Sequence, residues 1–148
     1  VILRPNGVLV SGQKQEQSIR KQLIAQNLLL AVISLPDNMF ESTSIPTCLL
    51  VFDKHKETRK IAMVDLTDKC DEEIRDQRGQ FGGASHERRT YRKTIKVISD
   101  SIISKCTELI NNGKDEEGFC RWVSPEEIQD CNLTPKRYQN RIRSQGIC

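Results

Sequence analysis

The sequence lacks the features that mark membrane-spanning, zinc-binding and strongly nucleic-acid-binding proteins. It contains no run of about 18 apolar residues, which excludes a membrane-spanning helix of ordinary length. None of its six cysteines are spaced as Cys-x-x-Cys and it has only two histidines, so we expect no metal site. The net charge of +3 is too small for composition alone to indicate nucleic-acid binding.

The N-terminus also lacks a secretory signal, since no basic segment precedes an apolar stretch and a small-residue cleavage site. A disulfide framework is not expected in a chain of this size without such a signal, and we predict six free thiols in a reducing cytoplasm. The chain starts without Met inside the apolar run Val1–Leu3. This start favours a piece of a larger protein; the alternative is a chain trimmed to a natural boundary.

What is present fits one domain, or part of one: 148 residues, of which 29% are charged. The run from Leu28 to Leu35 is almost continuously apolar, which is typical of a strand covered on both faces. The loop from Asp37 to Ser44 is too short for a crossover helix, so we expect an antiparallel hairpin at one edge of the sheet. The predicted elements of this half are strands at Val1–Leu3, Leu28–Leu35, Ile45–Phe52 and Lys60–Asp65, and a helix over Gln15–Asn27.

The second half has a different pattern. Charged and Gly-rich residues from Thr67 to Lys93 predict a long loop. Apolar residues at helical spacing predict a helix over Thr94–Asn111, followed by a short extended piece at Phe119–Val123. The fold class is therefore α/β, the C-terminal half of a sheet with an antiparallel edge, followed by a mostly helical extension. We expect segments bounded at 1–66, 67–93 and 94–148.

No local active-site pattern appears. The sequence has no Gly-rich dinucleotide or phosphate loop and no nucleophile elbow, and His55 and His86 lie in charged loops where we expect them to be solvated. Phe40 follows a predicted core strand, at the end of the sheet where α/β proteins bind ligands. Phe40 could be a stacking platform or could cap the hydrophobic core, and from the residues alone the core interpretation is favoured.

Several segments resemble a known family in order and spacing. They resemble adenine-N6 DNA methyltransferases, and most closely the modification subunit of type I restriction-modification systems. The segments are Val1–Val10, Ile19–Ile24, Ala31–Phe40 and Ser44–Phe52, and near the end Trp122–Ile128 and Asn132–Tyr138. Residues 67 to 93 depart from the family pattern.

The resemblance implies a Rossmann-like methyltransferase sheet and transfer of a methyl group from S-adenosylmethionine to N6 of adenine in DNA. The target base must then leave the duplex, and an aromatic side chain can recover part of the lost stacking energy. Phe40 matches the family position that stacks on this base, which makes stacking the favoured role. The family's Gly-containing cofactor motif and its Asn-Pro-Pro-aromatic motif do not occur here. We therefore expect both motifs upstream of Val1 and no activity from this chain alone.

The resemblance also implies partners: DNA, a second modification subunit and a specificity subunit, and it leaves open a restriction subunit. Basic side chains that could contact the DNA backbone are Lys54, Lys56, Arg59, Arg88 and Arg89, although a solvated loop face explains them equally well. Two other interpretations stay open. One is a non-catalytic module that docks to a specificity subunit or to DNA. The other is a small unrelated α/β enzyme, which the lack of a local active site disfavours.

Overall fold

The computed structural model describes residues 1–40, 44–78, 90–128 and 131–139. Two helices and seven strands make up most of this part of the chain. The helices are α1 (Lys14–Ala25) and α2 (Asp100–Asn112). The strands are β1 (Ile2–Pro5), β2 (Leu29–Ser34), β3 (Thr47–Phe52), β4 (Ile61–Asp65), β5 (Asp71–Arg78), β6 (Thr90–Val97) and β7 (Cys120–Val123).

Five strands form one mixed sheet in the order β1-β3-β2-β4-β7. The predicted antiparallel pairing of β2 with β3 is confirmed. Its predicted position at the edge of the sheet is wrong, because β1 pairs with the other side of β3. Strand β4 runs parallel to β2 and antiparallel to β7. The α/β class with a mixed sheet is therefore confirmed, and the segment predicted as extended at Phe119–Val123 joins the main sheet as β7. The boundary predicted at residue 67 lies between elements that share this sheet.

The two faces of the sheet carry separate hydrophobic clusters because β2 alternates its side chains between them. Ala31 and Ile33 face α2, together with Val64, Phe119 and Trp122. Leu29 and Val32 face the other side, because a register shift between Leu29 and Ala31 interrupts the alternation. There Leu9, Leu133 and Tyr138 are buried against them, and α1 packs through Leu23 and Ile24. All five residues of β4 are buried, as expected for a strand covered on both faces.

The prediction of a loop over residues 67–93 is wrong at both ends of this range. There β5 and β6 pair as an antiparallel hairpin with eight residue pairs in register. Strand β5 consists mostly of charged residues, and its described side chains are exposed. The apolar alternation by which strands are recognised is therefore missing. Strand β5 forms because it pairs with β6, about twenty residues away, and no local sequence pattern predicts such a pairing.

The helix predicted from Thr94 begins later than expected. Residues 94–97 belong to β6, and α2 starts after Ser99, whose side chain caps the helix by accepting a hydrogen bond from the Ile102 N–H at 3.4 Å. Ile95 and Val97 alternate with Lys96 at strand spacing, and counting them in a helical stripe placed the boundary too early. Gly113 ends α2 in a left-handed conformation with φ of 64°.

Candidate functional site

The sheet end at which β2 and β4 finish is the best-formed candidate site. These parallel strands end together, with Ser34 paired to Asp65 and the Leu66 N–H donating to the Ser34 carbonyl at 2.9 Å. In open α/β sheets ligands bind beyond the carboxyl ends of the parallel strands. We refer to this end, with the loop that follows β2, as the carboxyl end of the sheet.

A buried carboxylate fixes the loop after β4. Asp65 is buried, and its Oδ1 accepts hydrogen bonds from the Thr67 N–H at 3.0 Å and the Thr67 hydroxyl at 2.6 Å. This arrangement is an Asx turn, in which a side chain replaces a backbone acceptor. Asp65 is therefore engaged in holding the backbone that leaves the sheet.

The loop after β2 brings Phe40 to the same end. The Leu35 N–H donates to the Thr47 carbonyl at 2.9 Å, and Asn38 adopts a left-handed backbone with φ of 55°, which Asn tolerates better than most residues. Met39 packs against the cluster that faces α2. Phe40 is half-buried and belongs to neither cluster of the described residues. Met39, rather than Phe40, therefore covers the core at this point.

The β5–β6 hairpin holds this loop in place. The Lys96 N–H of β6 donates to the Asn38 carbonyl at 2.9 Å, and the Lys96 ammonium forms an ion pair with the Asp37 carboxylate. The hydrogen bond between the Lys96 ammonium and the Asp37 carboxylate lowers the pKa of Asp37 and raises the pKa of Lys96, so both groups stay charged across the neutral range. Nothing local in the sequence indicates a contact between residues so far apart, and this ion pair was not predicted.

The basic turn between β3 and β4 lies at the opposite end of the sheet. The Asp53 N–H donates to the Leu28 carbonyl at 2.9 Å, which places the turn where β2 begins. A six-residue strand spans about 20 Å, and this length separates the basic turn from the Phe40 loop. Lys54 and Arg59 are exposed on the turn. Arg88 and Arg89 lie outside the described residues. The structure thus separates Phe40 from the basic residues of the turn.

Lys56 is a structural group rather than a free cation. Its ammonium donates to the Leu29 carbonyl at 2.7 Å. Burial, with Arg59 nearby, lowers the pKa of Lys56 from 10.5 to about 8. This side chain therefore fastens the turn to the start of β2.

The pKa of Lys56 predicts a pH-dependent stability. Since its folded-state pKa lies below 10.5, the unfolded chain binds more protons between about pH 8 and 10.5. The buried charge of Lys56 lowers the free energy of unfolding by its full amount below pH 8, and this cost disappears as the pH rises to 10.5. In urea denaturation, the unfolding free energy of the wild type minus that of Lys56→Met should therefore rise over this range.

Using the difference between the two proteins removes the background from other titrating groups, such as the thiols. Lys54→Met is the matched control, because Lys54 is exposed on the same turn, and the rise should be larger for Lys56→Met than for Lys54→Met. A flat curve for Lys56→Met would contradict the assignment.

The buried thiols do not provide a nucleophile. Burial raises the pKa of Cys48 and Cys106 to about 11 and that of Cys120 to about 12, so these side chains are thiols at neutral pH. Within the described ranges no group of three or more His, Cys, Asp or Glu side chains could hold a metal ion. In the same part of the chain, no helix has the length and apolarity needed to cross a bilayer.

Comparison with known proteins decides the family. The family described as N-6 DNA Methylase matches residues 1–146. The chain belongs to this family. Its sequence is 31% identical to the type I restriction enzyme MpnII methylase subunit of Mycoplasma pneumoniae, over 90% of this chain and 22% of the relative. It is 28% identical to the MjaVIII methylase subunit of Methanocaldococcus jannaschii, over 95% of this chain and 22% of the relative.

A solved structure of the same kind has the same fold. The methyltransferase subunit of a type I restriction-modification system from Streptococcus thermophilus superposes with a TM-score of 0.72 at 29% sequence identity. The match covers 93% of this chain and 26% of that chain. The resemblance stated from the sequence is confirmed, and the chain spans about a quarter or less of the length of these relatives.

The family uses S-adenosylmethionine, and the described residues do not fit this cofactor. The loops after β2 and β4 contain no glycine among their described residues, so the backbone offers no close approach to a nucleotide. The cavity beside Met39 has a volume of about 500 Å³ and is lined almost entirely by apolar side chains of the sheet and α2. Such a cavity offers few partners for a charged amino-acid group or a ribose.

Proposed function

We propose that this chain is part of a type I DNA methylase subunit that transfers a methyl group from S-adenosylmethionine to N6 of adenine in DNA. Its own contribution is one wall of the target-base site, in which Phe40 stacks on the extruded adenine. A segment upstream of Val1 supplies the binding site for the cofactor and the groups that polarise the amino group of the adenine. The assembly includes a specificity subunit and a second methylase subunit, and a restriction subunit can join it.

The position of Phe40 carries this proposal. Phe40 lies at the carboxyl end of the sheet, in a loop fixed by Lys96, and its side chain is half-buried and outside both clusters. An aromatic ring held there presents a face to a base without disrupting the core, because Met39 already fills the neighbouring space. Stacking is tolerant of sequence, which suits a subunit that leaves recognition to another protein.

Two measurements on the 148-residue chain test the proposal. Incubation with radiolabelled S-adenosylmethionine and adenine-containing duplex DNA should give no incorporation of label. Clear incorporation would refute the assignment of the cofactor site to another segment.

The second measurement concerns Phe40. The chain should bind a duplex with an extrahelical 2-aminopurine more tightly than the fully paired duplex. Phe40→Leu should remove about tenfold of that preference, since stacking on an aromatic side chain contributes about 1–3 kcal/mol per base. Phe40→Trp keeps a stacking face and should retain the preference, which separates stacking from simple space filling. Equal binding by the Leu variant and the wild type would exclude the stacking role and favour a non-catalytic docking module.

A further inference from the structure

Lys96 contacts the loop of Phe40 through both its backbone and its side chain. Its backbone N–H donates to the Asn38 carbonyl at 2.9 Å, and its ammonium pairs with the Asp37 carboxylate. In the part of the chain that the structure describes, these are the hydrogen bonds by which another element reaches the turn of Asp37 and Asn38. The position of this turn therefore depends on Lys96.

The rest of the loop is fixed at two other points. Pro36 is fully buried where the loop leaves β2, and Met39 packs against the cluster that faces α2. Asn38 lies between these two residues with its left-handed backbone. Only Met39 separates the turn held by Lys96 from Phe40, so a shift of the turn changes the backbone that carries the aromatic ring.

Lys96 is itself held in place by its neighbours in the chain. Ile95 is 1% exposed, and Ile98 packs against the cluster that faces α2. In the register of the β5–β6 hairpin, Lys96 lies opposite Glu72. The hydrogen bond to Asp37 and the negative charge of Glu72 both raise the pKa of Lys96. The ammonium therefore stays charged while it links the hairpin to the loop.

A stacking ring is effective only when it is placed accurately. Binding groups have to lie within about 0.5 Å of their working position, and contacts from surrounding residues keep them there. A loop that is already ordered also loses less conformational entropy when its ligand binds. Phe40 is half-buried on such a loop, and the contacts of Lys96 supply part of this order.

We infer that Lys96 is a positioning residue for the target base. Its ammonium and its backbone N–H hold the turn of Asp37 and Asn38, so that Phe40 presents its ring to the extruded adenine. This inference rests on the proposed function, since it takes the stacking role of Phe40 from there. It gives the β5–β6 hairpin, which lies outside the main sheet, a role in the target-base site.

Charge reversal at Lys96 tests this inference, because K96E keeps the backbone N–H and changes only the side chain. The measured quantity is the affinity for a duplex with an extrahelical 2-aminopurine divided by the affinity for the fully paired duplex. This ratio cancels the general effect of protein charge on DNA binding, since the two duplexes carry nearly the same number of phosphates. We expect K96E to lower the ratio by about threefold to tenfold, because a carboxylate at position 96 repels Asp37.

Two further variants serve as controls. D37K/K96E restores a pair of opposite charges and should return the ratio to within about twofold of the wild type. K69E reverses a lysine in the loop after β4, at the same end of the sheet. The Lys69 side chain is 29% exposed, like that of Lys96 at 28%, but it pairs with its neighbour Asp68 at 3.0 Å. K69E should therefore leave the ratio unchanged.

The fluorescence of the bound 2-aminopurine gives a second measurement, which is made at saturating protein and so does not depend on affinity. In the K96E complex it should resemble that of the Phe40→Leu complex, because the ring is displaced in one and absent in the other. In the D37K/K96E complex it should resemble that of the wild type. Circular dichroism of all variants establishes that they fold.

The outcomes separate the inference from the proposed function. If Phe40→Leu loses the preference for the extrahelical base while K96E keeps it, the inference fails and the proposed function stands. The same holds if D37K/K96E does not recover the ratio, or if K96E weakens binding to both duplexes equally, since Lys96 would then support only the fold. If the wild type shows no preference, or Phe40→Leu retains it, the proposed function fails and the inference fails with it.

Discussion

Replacement of Arg20 by methionine should lower the free energy of unfolding by about 3–5 kcal/mol. Arg20 is 5% exposed, and its guanidinium donates to three backbone carbonyls: Ser11 at 2.7 Å, Cys131 at 2.8 Å and Val8 at 3.0 Å. The side chain on α1 therefore joins a turn before the helix to a segment near the far end of the chain. Methionine fills similar space but leaves all three acceptors without their donor.

Chemical denaturation measures this loss of stability, and two further variants serve as controls. Lys21→Met changes the next residue of α1, which is exposed, and should stay within about 0.5 kcal/mol of the wild type. Arg20→Lys keeps the charge but not the planar fork of donors, so it should fall between the wild type and methionine. A methionine variant as stable as the wild type would show that water replaces the guanidinium at these carbonyls.

Replacement of Tyr138 by alanine should cost about 3–5 kcal/mol of stability. Tyr138 is 1% exposed in the cluster that faces α1, beneath β4, and its hydroxyl donates to the Asn132 carbonyl at 2.5 Å. Alanine leaves a cavity of ring size in this cluster, where Leu133 and Leu29 are themselves fully buried.

A second variant of Tyr138 distinguishes the contribution of ring burial from that of the hydrogen bond. Tyr138→Phe keeps the ring and should cost only about 1 kcal/mol, the usual net value of one hydrogen bond. Lys136→Ala, at an exposed position of the 3₁₀ turn Pro135–Tyr138, should be nearly neutral in thermal denaturation. If Tyr138→Ala were also neutral, burial of this side chain would not contribute to the stability of the core, and the prediction would be wrong.

The sequence predicts the strands with apolar runs and misses the charged hairpin, whose strands depend on each other for pairing. Strands β2, β3 and β4 were found because their composition is apolar whatever surrounds them. Strand β5 was missed because its charged side chains carry no burial signal, and the end of β6 was missed because Ile95 and Val97 also fit a helical stripe. That β7 lies beside β4 follows from a long-range pairing that short-range periodicity does not encode.

The candidate site was predictable in part. Its location at the carboxyl end of β2, with Phe40 in the following loop, follows from the strand prediction and the resemblance. The ion pair of Asp37 with Lys96 does not, because the residues meet only once β6 has formed. The basic turn illustrates the converse: a cluster of Lys and Arg is visible in the sequence, but which end of the sheet it occupies depends on strand direction.

The pairing of β4 with β7 has a consequence for the length of the chain between them. Val64 lies beside Cys120, so the β5–β6 hairpin and α2 form one long excursion that leaves the sheet and returns to it. The entropy of closing such an excursion grows only logarithmically, by about 0.6 kcal/mol for each doubling of its length. Insertions or deletions at the outer end of the β5–β6 hairpin should therefore change the free energy of unfolding very little, so the length of the hairpin can vary while the main sheet stays the same.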